Sequence, residues 1–183
     1  MENVSIRIVE LKDAELIADL SRQTFFETFA LENTKKNMDK FMNEHFTKAK
    51  LINEVGEPDN IFLLAYAATD PVGYARIREN NNPPELGAIK AMEISRIYAT
   101  ANSIGKGIGK ALMKKCIEIA LERKAEAIWL GVWQLNKRAI DFYENWGFEK
   151  FSTHIFMLGD DPQQDWLMMK KLVPAEIDGW IAE

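Results

Sequence analysis

Met92-Glu-Ile-Ser-Arg-Ile-Tyr-Ala-Thr-Ala-Asn-Ser-Ile-Gly-Lys-Gly-Ile-Gly-Lys-Ala-Leu-Met113 reads as a strand running into a glycine-rich turn that opens directly into a helix. Residues Glu93 to Ala99 alternate and carry β-branched and aromatic side chains, Gly105, Gly107 and Gly109 permit close approach to the backbone, and helical period begins at Lys110. The first turn of a helix leaves main-chain N–H groups without partners and carries a partial positive charge. Where glycines clear the space in front of it, a phosphate or diphosphate fits.

Spacing separates this cradle from two others. A P-loop requires Gly-x-x-x-x-Gly-Lys-Ser/Thr, and Gly109-Lys110 is followed by Ala111, which has no hydroxyl for magnesium. The fingerprint Gly-x-Gly-x-x-Gly, set on Gly105 and Gly107, would need glycine where Lys110 stands. The plain alternative is a glycine-rich connection that holds no ligand. A second stretch follows, Ile128-Trp-Leu-Gly-Val-Trp-Gln-Leu-Asn-Lys-Arg-Ala-Ile-Asp-Phe-Tyr-Glu-Asn-Trp-Gly-Phe148. Within it Asn136 is a helix N-cap, Ala139, Ile140 and Tyr143 share one helix face, and Gly147 stops the helix.

Together the two stretches resemble motifs A and B of the GNAT superfamily of acetyl-CoA-dependent N-acetyltransferases. The motif A pattern, Gln/Arg-x-x-Gly-x-Gly/Ala, falls on Ile104-Gly-Lys-Gly-Ile-Gly109, with Ile104 where Gln or Arg is usual. That side chain's contribution to a diphosphate site is therefore absent or comes from elsewhere. Motif B, Asn-x-x-Ala-x-x-Phe-Tyr and then Gly-Phe, is met by Asn136, Ala139, Phe142, Tyr143, Gly147 and Phe148. The resemblance covers residues 4–172. It implies an α/β (α+β) GNAT fold, a single mixed twisted β-sheet of six to seven strands with helices on both faces.

The resemblance also implies acetyl-CoA as cosubstrate. Ile104, Gly105, Lys106, Gly107, Ile108, Gly109 and Lys110 would bind its diphosphate. Main-chain N–H groups around Ile97, Tyr98 and Ala99 would polarise the thioester carbonyl, and Asn136 and Tyr143 would meet the pantetheine arm. Tyr143 is then the general acid for the departing thiolate, its phenol having a reference pKa of about 10 against about 8.5 for a thiol. Glu93 is either the base that receives the amine's proton or an exposed strand residue. No covalent enzyme intermediate and no metal are implied, and His45 and His154 are too separated in sequence to suggest a metal site.

Shorter phrases narrow the likeness. Glu93 to Tyr98, Ile117 to Arg123, Ile128 to Trp133, His154 to Asp160 and Gln23 to Phe29 look like the bacterial spermidine/spermine N-acetyltransferases of the PaiA type. This implies a small-molecule amine as substrate, a polyamine above all, for which Glu27, Glu32, Glu44, Glu93 and Trp133 are available. Two alternatives stand beside it: acetylation of another amine, such as an amino acid, an aminoglycoside or a protein N-terminus, and a non-catalytic acetyl-CoA-binding regulator.

Length and composition agree with an ordinary globular enzyme. The chain has 183 residues, 47% of them hydrophobic, enough for one core; 28 acidic against 23 basic residues give a net charge of −5. That balance argues against a nucleic-acid partner and suits a cationic substrate. The single cysteine, Cys116, lies on an apolar helix face and reads as core. Met1 to Ser5 has neither the basic nor the apolar region of a signal peptide, and no apolar run nears the roughly 20 residues of a membrane span, so a cytoplasmic location is expected.

Along the chain the periodicities predict a strand over Val4 to Glu10, a helix capped by Asp13, and a charged amphipathic stretch from Thr34 to Gly56 broken near Phe46 and Thr47. A hairpin over Ile61 to Ala67 and Val72 to Arg78 follows. Then come strand Ala91 to Ala99, helix Lys110 to Lys124, strand Ala127 to Trp133, helix Lys137 to Trp146, and strands Phe148 to Met157 and Asp165 to Leu172. Residues 1–173 form the acetyltransferase domain and residues 174–183 a tail. Its Trp180 and Ile181 would dock on the domain or on a second subunit, which is how a homodimer enters as an expectation.

Overall fold

The computed structural model of the chain describes residues 4–173, so the tail with Trp180 and Ile181 lies outside the described residues. The strands are β1 (Val4–Ile8), β2 (Asn60–Ala67), β3 (Asp70–Arg78), β4 (Ala91–Ala99), β5 (Ala127–Trp133), β6 (Glu149–Leu158) and β7 (Asp161–Lys171). The helices are α1 (Ala14–Phe29), α2 (Lys35–Glu44), α3 (Lys48–Glu54), α4 (Ile108–Glu122) and α5 (Lys137–Asn145). The strands form one seven-stranded sheet in the order β1-β2-β3-β4-β5-β7-β6. Every pairing is antiparallel except β4 with β5. That parallel step needs a crossover, which α4 supplies. A mixed sheet with helices on both faces is the GNAT architecture.

Local chemistry sets the boundaries. Thr34 accepts the Asn37 N–H and Thr47 accepts the Lys50 N–H, each at 3.3 Å, so the charged stretch divides into α2 and α3. Asp13 occupies the N-cap position of α1 but does not cap it. Its carboxylate is engaged by Arg7 at 2.7 and 2.8 Å and by the Glu10 N–H at 2.9 Å, which fastens β1 to the start of the helix. The Arg7 hydrogen bonds hold this carboxyl down to about 2.

Several boundaries shift by a residue or two from the sequence expectation, and the starts of α4 and β7 move for identifiable reasons. α4 starts at Ile108 rather than Lys110, because Gly107, at φ +85°, already serves as its N-cap. β7 starts at Asp161 rather than Asp165 and so takes in Pro162. The proline is tolerated because β5 pairs with β7 no further than Asp165, so at Pro162 no second strand needs an N–H.

The two faces of the sheet bury different sets. α4 and α5 cover Ile94, Leu130, Val132 and Met168, and Cys116 of α4 is fully buried among them. Burial pushes its thiol well up, so it stays an inert core group. The opposite face carries α1, α2 and α3 over Phe62, Leu64 and Tyr74 and, at the far edge, over Leu158 and Phe156. Gly73 allows α4 to sit directly on β3. A Cβ there would lie 2.6 Å from the Tyr98 carbonyl oxygen and 2.9 Å from Ile108 Cγ2. Among the described residues no helix is long and apolar enough to cross a membrane.

Candidate active site

The site begins where two neighbouring strands part. β4 and β5 are joined by Ala91 with Ala127, Met92 with Ile128 and Glu93 with Trp129, and by no further pair. The cause lies in the pairing of β4 with β3. Ile77 stands opposite Ile94 but Arg76 stands opposite Arg96, which leaves Ser95 as the extra residue of a bulge. A bulge bends its strand and increases the twist, and here it turns the outer half of β4 away from β5.

The gap exposes main-chain donors. Thr100 donates its N–H to the Val72 carbonyl at 2.9 Å, on the β3 side. Alternation along the strand therefore turns the N–H groups of Ile97 and Ala99 into the gap and that of Tyr98 toward β3. Of these three residues, two are placed to meet a ligand with their amides. Tyr98 instead stacks its ring on Tyr74, centroids 6.0 Å apart. Burial pushes its hydroxyl pKa far up.

Past β4 the chain forms the cradle. Gly105 and Gly107 have φ of +82° and +85°, a region that disfavours side chains, and a Cβ on either would meet nothing within 4 Å. The space before them is open. Ile104 donates its N–H to Ala101 and Lys106 to Ser103, while the first main-chain bond of α4 runs from Ala111 to Gly107. Gly105, Gly107, Ile108, Gly109 and Lys110 remain as donors without a main-chain acceptor among the described residues. They present several N–H groups at a positive helix end, the arrangement that holds a phosphate. At Gly109 a Cβ would make only an ordinary contact, 3.6 Å from Phe142 Cζ of α5, so this glycine is not required by packing. The exposed Ile104 side chain adds no charge, but Lys106, Lys110 and Lys114 line a cavity of about 760 Å³ beside the cradle.

Cradle and gap open into one cleft of about 1480 Å³. A single small-molecule site usually takes about 300–1,000 Å³, so there is room for two ligands at once. Tyr143 lines the cleft from α5 and is 8% exposed, with Phe142 and Phe148 rings 5.5 and 6.0 Å away. Burial pushes its phenol far above the ordinary value, so it holds its proton at neutral pH. Asn136 caps α5 by accepting the Ala139 N–H at 3.1 Å, and its carboxamide N–H donors remain for the cleft it lines.

Glu93 is not the exposed strand residue of one sequence alternative: it is 8% exposed. Arg78 grips it bidentately at 2.6 and 2.9 Å, and Asn81 donates to it at 2.8 Å. It stands at the last residue where β4 and β5 still pair, so this cluster pins the apex of the gap. Glu27, Glu32 and Trp133 also line the cleft, whereas Glu44 is not part of its wall. Glu27 is engaged structurally, accepting the Ala101 N–H at 2.9 Å and Gln23 Nε2 at 2.8 Å. Sequence reading missed Arg78 and Asn81, the bulge at Ser95, and His154 with Asp165, which also line the cleft. Only the long-range register brings these together.

Comparison with known proteins agrees with the geometry. The sequence profile of the acetyltransferase (GNAT) family matches residues 18–148. An uncharacterized N-acetyltransferase from the pepI 3′ region of Lactobacillus delbrueckii subsp. lactis is 34% identical over 173 residues, covering 94% of this chain and all of that protein. The spermidine N(1)-acetyltransferase of Thermoplasma acidophilum is 24% identical, over 92% of this chain and 98% of that one. Among solved structures, PaiA N-acetyltransferase from Thermoplasma acidophilum in complex with coenzyme A superposes with a TM-score of 0.76 at 24% identity, over 93% of this chain and 99% of that one.

Proposed function

The chain belongs to the acetyltransferase (GNAT) family, and from that membership we propose that it transfers acetyl from acetyl-CoA to a primary amine of a polyamine such as spermidine or spermine. The transfer is direct, in a ternary complex. One observation carries the reading: β4 parts from β5 beside a cradle of unengaged amides. A long anionic thioester thus has donors for its diphosphate and a slot for its acyl arm.

In that slot the N–H groups of Ile97 and Ala99 face the position where negative charge grows on the thioester oxygen as the amine attacks. Fixed donors of this kind stabilise the developing oxyanion without having to reorganise. Asn136 steadies the arm from the start of α5. Tyr143, kept protonated by its burial, donates to the sulfur as the C–S bond breaks. Glu93 acts as a positioning residue, because its oxygens are already engaged by Arg78 and Asn81 and hold the apex of the slot. Most of the acceleration comes from holding amine and thioester together.

A polyamine as acceptor is supported by the wall on the α1 side. Phe29 and Trp133 meet edge to face with centroids 6.4 Å apart, and Glu32 and Asp165 line the same cleft. Aromatic faces beside carboxylates favour cationic amines. The Thermoplasma relative's name points the same way. The test is acetyl-CoA-dependent thiol release over a panel of amines. Spermidine and spermine are expected to exceed amino acids in kcat/KM by about tenfold or more, a difference of about 1.4 kcal/mol in transition-state binding. Preference for amino acids or aminoglycosides would replace the polyamine by that class. Calorimetric binding of acetyl-CoA with no turnover on any amine would make the protein a regulator.

A further inference from the structure

The proposed transfer leaves one role unfilled. With Glu93 engaged, another group must take the proton from an incoming ammonium, which at neutral pH is almost fully protonated, its reference pKa being about 10.4. The inference rests on that reading of the reaction. It starts from β5, whose residues are buried or half-buried except for Gly131, which is exposed in the middle of the strand. Trp129 and Trp133 flank it on the same side of the sheet.

Gly131 is the floor of a notch. A Cβ on it would meet His154 Cε1 at 3.3 Å and Asp165 Oδ2 and Leu167 Cδ2 at 3.8 Å. Strand register puts the two polar groups there: Trp133 pairs with Asp165, and Asp165 with His154. His154 Nε2 lies 3.8 Å from Asp165 Oδ2. The Asp165 side chain is 14% exposed and that of His154 is 44% exposed, so the inner member anchors and the outer one reaches both cleft and solvent. Burial raises the Asp165 carboxyl to about 6, with His154 pulling it the other way. The notch opens on the face opposite Tyr143, which packs with Leu130 and Val132 on the α4 side. Acid and notch thus flank the gap from its two faces. The side of the cleft formed by α1, α2 and the turns that follow them adds Glu27, Glu32 and His45, and its sheet wall adds Arg78, Glu93 and Arg96.

We propose that His154, oriented by Asp165 above Gly131, accepts the proton of a cationic primary amine seated against Trp133 and Phe29. The step balances. His154 takes one N–H proton and becomes an imidazolium beside the Asp165 carboxylate. The freed lone pair forms the N–C bond, the C–S bond breaks with its electrons on sulfur, and Tyr143 protonates that sulfur and recovers a proton from the new amide nitrogen. One proton in total leaves to solvent, through the exposed edge of His154. His154 is the catalytic residue of this step and Asp165 a positioning residue.

The experiment measures kcat/KM for spermidine from about pH 6 to 10 in wild type, His154→Gln and Asp165→Asn, with the acetyl-CoA Kd of each by calorimetry. At pH 7 His154→Gln is expected to fall by about 100-fold, the lower end for lost acid–base catalysis. The deficit should shrink toward pH 10, as free amine becomes abundant and no longer needs a base. Asp165→Asn should fall less and along the same profile, and acetyl-CoA binding should not change in either. A deficit that persists unchanged to pH 10, or activity of both variants within about threefold of wild type at pH 7, overturns the inference alone. A wild type that acetylates no amine overturns the parent reading with it. His154 is half-exposed and its replacement opens no core; if it fails to fold nonetheless, the Asp165→Asn profile decides.

Discussion

Tyr143→Phe is expected to lower kcat by about 1,000-fold, within the range for lost general-acid catalysis, while the acetyl-CoA Kd stays within about twofold. The separation of the two effects is the informative part. The ring of Tyr143 fills space against Phe142, Phe148 and the α4 side of the sheet, and phenylalanine keeps that ring. What is lost is one O–H, which burial keeps protonated. An interaction made only in the transition state lowers kcat and kcat/KM together. Steady-state thiol release and calorimetry on the variant check this. Unchanged turnover would remove Tyr143 from the reaction, and lost cofactor binding with normal kcat at saturation would make it a packing residue.

Glu54→Ala is expected to cost about 3–5 kcal/mol of stability, the range for stripping one partner from a buried ion cluster. Glu54, at the end of α3, is the shared carboxylate of two arginines from neighbouring strands. Arg76 reaches it at 2.9 Å, and Arg96 grips it bidentately at 2.5 and 3.0 Å. The side chains of Arg76 and Arg96 are only 7% and 13% exposed, and burial with the neighbouring Arg96 charge already lowers Arg76 to about 10. Both arginines remain charged at neutral pH, so removing Glu54 leaves two like charges facing each other with little water. For a domain of this size each kcal/mol corresponds to about 2–4 °C in Tm, which puts the expected fall near 10 °C. Thermal melts of wild type and variant measure it, and a change under about 2 °C would mean that water enters the cluster far more freely than its burial implies. Arg96 also lines the cleft, so the variant should lose activity in proportion to its unfolded fraction and beyond it.

Much of this was legible in the chain because it is local. The cradle follows from glycines whose positive φ only glycine adopts easily, and the caps at Thr34, Thr47 and Asn136 follow from side chains bonding main chain three residues on. The burial of Cys116 and Tyr143 follows from helical period. What the chain did not disclose is non-local. The bulge at Ser95 has no residue signature, yet it parts β4 from β5. Glu93 looked free because Arg78 and Asn81 come from the preceding strand and loop, and only the β3–β4 register closes that pair. Asp13 reads as a cap, but Arg7 on β1 competes for the same oxygens. His154 looks solitary until β6 and β7 are aligned, and a β7 expected only from Asp165 leaves Pro162 and the residues beside it out of that pairing. Side chains that meet across strands are set by register, and one residue of slip would send them to the other face.

The whole mechanism depends on the unengaged amides after β4 holding a diphosphate while the acyl arm lies between β4 and β5. The direct measurement is a crystal structure of the chain with coenzyme A. It should place diphosphate oxygens about 3 Å from the N–H groups of Gly107, Ile108, Gly109 and Lys110, the usual N–H···O distance, with the pantetheine running past Ile97 and Ala99. Coenzyme A bound outside residues 104–110, or absent at saturating concentration, would contradict it.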